Sequence, residues 1–239
     1  MRATDHIYVL SGGCYGAVGD RSVLGEVYGI RTEAGMILID CGIPGAGPAM
    51  IRETLDYYGI KDKITHVVVT HAHYDHAGGA KELQAGGAKI IVGAPDERLC
   101  LNGGPSALAS PFNGEHLYPA FTPDILIDRD QTLELNGLEL ELISIPGHTP
   151  GSMAVRANID RRTVMFTGDA LQPDGQQLEV VSLGWRGDVN FSGAAVVSSM
   201  MKLMELETDI ILPGHGKICL RNGTSVLRLA AQTAFMTLR

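Results

Sequence analysis

Thr70-His71-Ala72-His73-Tyr74-Asp75-His76-Ala77-Gly78-Gly79 follows directly on the apolar run His66-Val67-Val68-Val69, so that three imidazoles and a carboxylate stand within six positions. The β-branched run reads as a short buried strand, and Ala77 to Gln84 reads as the start of a helix. His71 and His73, two apart at a strand end, then lie on one face. Asp75 and His76 fall where the backbone turns and can aim at a neighbouring point from another direction, with Gly78-Gly79 letting the chain pass close to it. Such a cluster beside a strand end has few structural uses. Nitrogen and carboxylate oxygen donors suit zinc first, with iron or manganese as alternatives.

The chain of 239 residues has the length of one domain, which we divide into half-domains of roughly 1–115 and 116–239. Its 27 acidic residues outnumber 19 basic ones for a net charge of −8, with no basic run, so neither nucleic acid nor an anionic membrane is an expected partner. The first residues, Met1-Arg2-Ala3-Thr4-Asp5-His6, lack the apolar core of a signal peptide, and no apolar stretch is long enough to span a bilayer. The expectation is a cytoplasmic protein acting on a small molecule, its oligomeric state open with a homodimer among the options. Cys14, Cys41, Cys100 and Cys219 show no Cys-x-x-Cys pairing and are expected to be free, mostly buried thiols.

Short apolar segments with glycine between them, Ile7 to Leu10, Val23 to Ile30 and Met36 to Ile39, predict strands joined by tight turns. Pro48 to Tyr58 has helical spacing and Gly59 stops it. The histidine-bearing strand follows, then a helix to about Gln84 and a strand at Ala88 to Val92. Gly93 to about Pro123 loses periodicity and reads as a lid or bridge. Strands resume at Leu133–Leu135, Leu138–Ile145, Met153–Ala157 and Thr163–Thr167. A helix at Ala194–Leu206, a strand at Asp209–Leu212 and a helix from Thr224 complete the chain. Two blocks of strands followed by helices predict an α/β fold of two sheets packed face to face with helices outside.

Three later strands end alike: in Pro146-Gly147-His148-Thr149-Pro150-Gly151-Ser152, in Gly168-Asp169-Ala170, and in Pro213-Gly214-His215-Gly216. Each sets one His or Asp after an apolar strand and a glycine, and the carboxyl ends of strands are where α/β proteins gather functional groups. Together they supply His71, His73 and His148 for one metal, Asp75, His76 and His215 for a second, and Asp169 as a bridge between two ions. Five of the eight histidines are used in this way; His6, His66 and His116 are read as structural or surface residues.

His-x-His-x-Asp-His, Gly-His-Thr-Pro-Gly-Ser, Phe-Thr-Gly-Asp and Pro-Gly-His-Gly, spread over essentially the whole chain, resemble the metallo-β-lactamase-fold hydrolase superfamily. The resemblance implies a four-layer αβ/βα sandwich of two mixed sheets with outer helices and a two-metal site at one edge. Asp40, in Leu38-Ile39-Asp40-Cys41-Gly42, matches the family's Asp-x-Gly turn and is expected to orient a ligand or a loop; a plain turn cap is the alternative.

Zinc lowers the pKa of a bound water to about 7 and so provides hydroxide at neutral pH. By analogy with the family, one ion polarises a carbonyl oxygen while Asp75 orients the hydroxide, and the other stabilises the leaving group. The implied reaction is hydrolysis of an ester, thioester, lactone or lactam with two zinc ions per chain. No Gly-x-Ser-x-Gly is present to support a covalent serine.

Departures from subfamilies narrow the substrate. Ala170-Leu171-Gln172-Pro173-Asp174-Gly175-Gln176-Gln177 stands where glutathione thioesterases continue with a Gly-Cys-Gly-Arg type segment, and it lacks the tyrosine of quorum-quenching lactonases. His73 excludes the flavodiiron pattern, and the acidic balance argues against the nuclease members. The histidine set also resembles that of true β-lactamases. Tyr15, in the glycine-rich stretch Ser11 to Gly19, matches a loop that the family often lays over the metals. Trp185 and Arg186, in Leu183–Asp188, are expected to wall the pocket and to pair with a substrate carboxylate; the bland alternative is a packed indole with an Arg186–Asp188 ion pair. A lactam hydrolase, a mononuclear iron oxygenase and a metal-containing binding protein without turnover are the competing readings.

Overall fold

The central strands of the first sheet are apolar on both faces, and that pattern dictates a covering layer on each side. In Met36-Ile37-Leu38-Ile39 every side chain is buried. Ile37 and Ile39 enter one core while Met36 and Leu38 enter another, as the two-residue period of a strand requires. The structure, a computed structural model, describes residues 1–12, 24–104, 109–110, 114–115, 117–173 and 181–238.

The first sheet contains β1 (Ile7–Ser11), β2 (Val27–Thr32), β3 (Gly35–Ile39), β4 (Ile64–Val68) and β5 (Lys89–Gly93). After a small separate ladder of β6 (Ala109–Ser110) with β7 (Gly114–Glu115), the edge of this sheet is completed by β8 (Ile125–Ile127). β1 to β3 pair antiparallel, whereas β3, β4, β5 and β8 are parallel. The second sheet is formed by β9 (Gln131–Leu135), β10 (Leu138–Ser144), β11 (Met153–Ile159) and β12 (Arg162–Gly168), all antiparallel. Past a second small ladder of β13 (Gln172–Pro173) with β14 (Val181–Ser182), β15 (Ile210–Pro213) joins it parallel to β12.

The central core lies between the sheets, with Ile7, Tyr28, Ile37, Ile39 and Val68 facing Leu140, Leu142, Val155, Phe166 and Leu212. Tyr28 and Phe166 meet there with ring centroids 5.4 Å apart. On the outer face of the first sheet, Ile51 and Leu55 of α1 (Ala46–Tyr57) and Cys100 of α4 (Glu97–Leu101) join Met36, Leu38, Val67 and Ile90 in one core. On the outer face of the second, Val196 and Met200 of α5 (Gly193–Leu203) and Val226, Leu227 and Ala230 of α6 (Gly223–Thr237) cover Ile143, Ala154, Met165 and Ile211. The result is the four-layer αβ/βα sandwich that the sequence led us to expect. No helix among the described residues is long and apolar enough to cross a membrane.

Two differences from the sequence reading have local causes. The first sheet extends to Ile127, past the division near residue 115, because the three-residue β8 is too short to register as a periodic segment. The helix expected up to Gln84 is two pieces, α2 (Tyr74–Ala77) and α3 (Ala80–Ala85), the latter contributing Ala80 and Leu83 to the outer core. Gly78-Gly79 separates them, and its smallness serves the Cys41–Pro48 loop more directly than the cluster. A Cβ on Gly79 would stand 2.4 Å from the carbonyl oxygen of Cys41, and one on Gly78 2.6 Å from Pro44 Cδ. Gly79 N–H donates to Gly42 O at 3.0 Å, so backbone meets backbone here. Gly79→Ala is therefore expected to cost about 1–3 kcal/mol through overpacking, read as a lower urea midpoint with an unchanged slope; a wild-type midpoint would contradict this account of the contact.

Candidate metal centre

Parallel and antiparallel pairing together bring the carboxyl ends of β3, β4, β10, β12 and β15 to one edge of the sandwich. β4 stops at Val68, leaving Val69–His73 as a loop held by Val69 N–H on Ile91 O at 2.9 Å. Thr70 O accepts from Met153 N–H of the second sheet at 2.8 Å. Gly214 N–H donates to Gly168 O at 2.8 Å, which sets Asp169 beside His215. A side chain at 214 would not be tolerated, since its Cβ would lie 2.4 Å from Asp169 Oδ1 and 2.8 Å from His76 Cε1.

His71 Nε2, His73 Nδ1 and His148 Nε2 form a triangle with sides of 3.0, 3.0 and 3.2 Å. The partner of each opposite ring nitrogen fixes where its proton sits. His148 Nδ1 is 3.0 Å from the carbonyl oxygen of Trp185, an acceptor only, so Nδ1 carries the proton. His73 Nε2 faces the Asp188 carboxylate at 2.7 Å and must donate to it. The hydroxyl of Thr70 donates to Asp40 Oδ2 at 2.8 Å, which leaves it to accept from His71 Nδ1 at 3.1 Å. All three imidazoles thus turn a lone pair to one point. The spacing is close to the tetrahedron edge that zinc–nitrogen bonds of about 2.0–2.1 Å produce.

The second group stands alongside. His215 Nε2 is 2.9 Å from Asp75 Oδ2 and 3.4 Å from His76 Nε2. Asp169 lies between the groups: Oδ1 is 3.2 Å from His76 Nε2, and Oδ2 is 3.5 Å from His148 Nε2 and 3.6 Å from His215 Nε2. His76 Nδ1 donates to Asp40 Oδ2 at 2.7 Å, turning its Nε2 inward. Donor atoms of the two sets, and of a third made by His71, His76 and Asp169, lie within 4.8 Å of one another in each set.

Electrostatics favour a cation here. Burial alone would raise both carboxyls, yet the charges of His76 and His215 hold Asp75 below its ordinary range, and those of His215 and His76 hold Asp169 well below it. Against its own burial, His76 is driven well above the imidazole range by Asp75, Asp169 and Asp40. Burial and the neighbouring imidazoles push His71 well down, and burial first of all pushes His148 down to about 4, so both are neutral and keep their lone pairs at physiological pH. Asp75 Oδ2 and Asp169 Oδ1 are buried without a well-formed hydrogen bond, their nearest nitrogens being His215 Nε2 at 2.9 Å and His76 Nε2 at 3.2 Å. Two buried carboxylates set among converged imidazole nitrogens fit divalent metal ions of the zinc type.

The seven residues His71, His73, Asp75, His76, His148, Asp169 and His215 are therefore brought together as the sequence predicts. Asp40 touches the cluster at two points, through His76 and through Thr70, and its backbone adopts φ 62°, so both the orienting role and the turn role are present. Trp185 is 44 % exposed with its ring centroid 6.2 Å from that of His73, at the border of the cluster. Arg186 points elsewhere, its exposed guanidinium 3.5 Å from Thr237 Oγ1 on α6. The Arg186–Asp188 ion pair of the alternative reading is replaced by the bond from His73, because Asp188 turns inward. Tyr15 lies outside the described residues. Of the histidines set aside, His6 pairs with Asp160 and His66 Nδ1 lies 3.0 Å from Thr65 Oγ1, both away from the cluster, while His116 is outside the described residues.

Asp96 was missed. Fully buried, it accepts from Ala72 N–H at 3.0 Å, Thr149 Oγ1 at 2.7 Å and Gly151 N–H at 2.7 Å, and so ties the His71–His73 loop to the loop that carries His148. Gly93-Ala94-Pro95-Asp96 has the strand, glycine, acid order that drew attention to Asp169, and would have flagged it.

Residues 23–215 match the family model described as the metallo-beta-lactamase superfamily. The chain is 29 % identical over 175 residues to the hydroxyacylglutathione hydrolase GloC of Haemophilus influenzae, covering 72 % of this chain and 77 % of that one. To thioesterase pkgB of Emericella nidulans it is 28 % identical over 209 residues, 87 % of this chain and 50 % of the other. Among solved structures, BJP-1, a subclass B3 metallo-beta-lactamase of Bradyrhizobium japonicum, superposes with a TM-score of 0.74 at 22 % identity, covering 99 % of this chain and 90 % of that one.

Two outcomes are expected from this geometry. His148→Ala should bind about one fewer zinc ion per chain by elemental analysis after dialysis, and unchanged content would remove it from the set of ligands. Asp96→Ala leaves the buried N–H groups of Ala72 and Gly151 without an acceptor and should cost about 3 kcal/mol in denaturant unfolding; a loss below about 1 kcal/mol would refute its role as the tie between the loops.

Proposed function

This chain belongs to the metallo-beta-lactamase superfamily, and from that premise we propose that it is a dinuclear zinc hydrolase of small molecules, cleaving an ester, thioester, lactone or lactam bond. The reading is carried by the two adjoining donor sets with the Asp169 carboxylate reaching towards both. In this assignment His71, His73 and His148 hold one ion and Asp75, His76 and His215 the other. The chemistry that such an ion pair supplies when bound is Lewis-acid activation of water and polarisation of the scissile carbonyl oxygen.

The chain's own residues then divide the work. Asp75 is buried and anionic, so besides completing the second donor set its carboxylate orients the attacking water towards the carbonyl. Neutral His71 and His148 contribute lone pairs rather than charge. Trp185 shields the His73 side of the site from solvent. A serine nucleophile has no part in this scheme.

A thioester or ester stands first among the four bonds, supported by the names of relatives that act on such bonds and are more similar in sequence than the lactamase structures, whose likeness concerns the fold alone. The different segment at Ala170 to Gln177 bears on recognition of a glutathione moiety, not on the acyl bond.

The test is a substrate panel of acyl thioesters, aryl esters, lactones and cephalosporins on zinc-reconstituted protein. Thioester or ester turnover should disappear on chelation and return with zinc. Asp75→Asn should lower kcat by about 10²-fold or more while the fold is kept. Wild-type turnover in Asp75→Asn, or oxygen uptake by an iron-loaded protein that hydrolyses nothing in the panel, would overturn the proposal.

A further inference from the structure

We infer that Trp185–Asp188 is a strap that sets the proton positions of two imidazoles in the cluster, with Asp188 the positioning residue for His73. The inference rests on the reading of His71, His73 and His148 as a cation site. The strap runs without regular secondary structure between β14 and α5, yet Asp188 is fully buried at its side chain. Its two carboxylate oxygens are divided: Oδ2 takes His73 Nε2–H at 2.7 Å, and Oδ1 takes the backbone N–H of Asn190 at 2.6 Å. Three residues earlier the carbonyl of Trp185 takes His148 Nδ1–H at 3.0 Å. Two acceptors that cannot donate thus face two rings and force the free lone pairs of both onto the same point.

The geometry is demanding because His73 differs from its partners. His71 and His148 present Nε2 to the cluster, whereas His73 presents Nδ1. A neutral imidazole in water favours neither arrangement strongly enough to hold it unaided, and a proton on Nδ1 would block the cation position. The carboxylate of Asp188 excludes that tautomer. The His73–Asp188 bond draws the strap against the cluster and so places the Trp185 ring beside His73, which makes one contact responsible for both ligand geometry and the wall of the site.

Asp188→Asn is the discriminating variant, since it keeps size and removes one acceptor. With its amide nitrogen towards His73, it donates to Nε2 and moves the ring proton to Nδ1; with its oxygen there, the amide nitrogen faces the Asn190 N–H, donor against donor. Zinc affinity by chelator competition should fall about 10–100-fold at one of two bound ions. Long-range proton–nitrogen spectra of the metal-free protein should show His73 as the Nε2–H tautomer in the wild type and as a mixture in Asp188→Asn. Wild-type zinc affinity together with an unchanged His73 tautomer in the variant would overturn the inference, as would a wild-type His73 protonated on Nδ1. A wild type that binds no zinc but shows the tautomer change would overturn the metal reading and uphold the assignment to Asp188.

Discussion

The carboxylate of Asp40, at the end of β3, accepts three hydrogen bonds on which the site depends. Thr70 N–H fixes the loop that leaves β4, Thr70 Oγ1 passes the orientation to His71, and His76 Nδ1 is held directly. One buried anion therefore aims an imidazole in each of the two donor sets. It does so from a left-handed backbone position, φ 62°, that an aspartate tolerates better than most residues. The turn and the ligand orientation are one feature: the strained position delivers the side chain under the loop, and the bonds it makes there offset the strain.

The same logic recurs around the cluster. Buried acceptors hold the far side of each ring in the first triad: Thr70 for His71, Asp188 for His73 and the Trp185 carbonyl for His148. Asp96 ties the two loops that carry these rings. Cluster residues and their supports come from both sheets, so the face-to-face packing around Tyr28 and Phe166 is a condition of the site as well as of stability. Tyr28 makes the link directly, its hydroxyl donating at 2.7 Å to the carbonyl of Pro213, two residues before His215.

What was legible in the sequence was whatever repeats locally. A dense His/Asp run beside a β-branched strand, and three more strand ends with glycine next to a His or Asp, identify the cluster because each signal is contained in a few consecutive residues. Two blocks of strands, each followed by helices, identify the packed sheets. Asp188 was not legible, because its meaning lies in a contact with a residue 115 positions away and its neighbour Arg186 suggested an ordinary ion pair. Gly78-Gly79 was visible but its purpose was not, since the loop that requires it lies some thirty residues earlier and meets it only in three dimensions. Trp185 lies beside the cluster, whereas its neighbour Arg186 turns to α6.

Anomalous diffraction at the zinc absorption edge, from crystals of the zinc-reconstituted protein, tests most directly whether this edge of the sandwich is a paired metal centre. Two peaks are expected. One lies about 2.0–2.1 Å from His71 Nε2, His73 Nδ1 and His148 Nε2, and the other lies among Asp75, His76 and His215, with the Asp169 carboxylate between them. No peak in the cluster, or zinc bound only elsewhere on the chain, would contradict it.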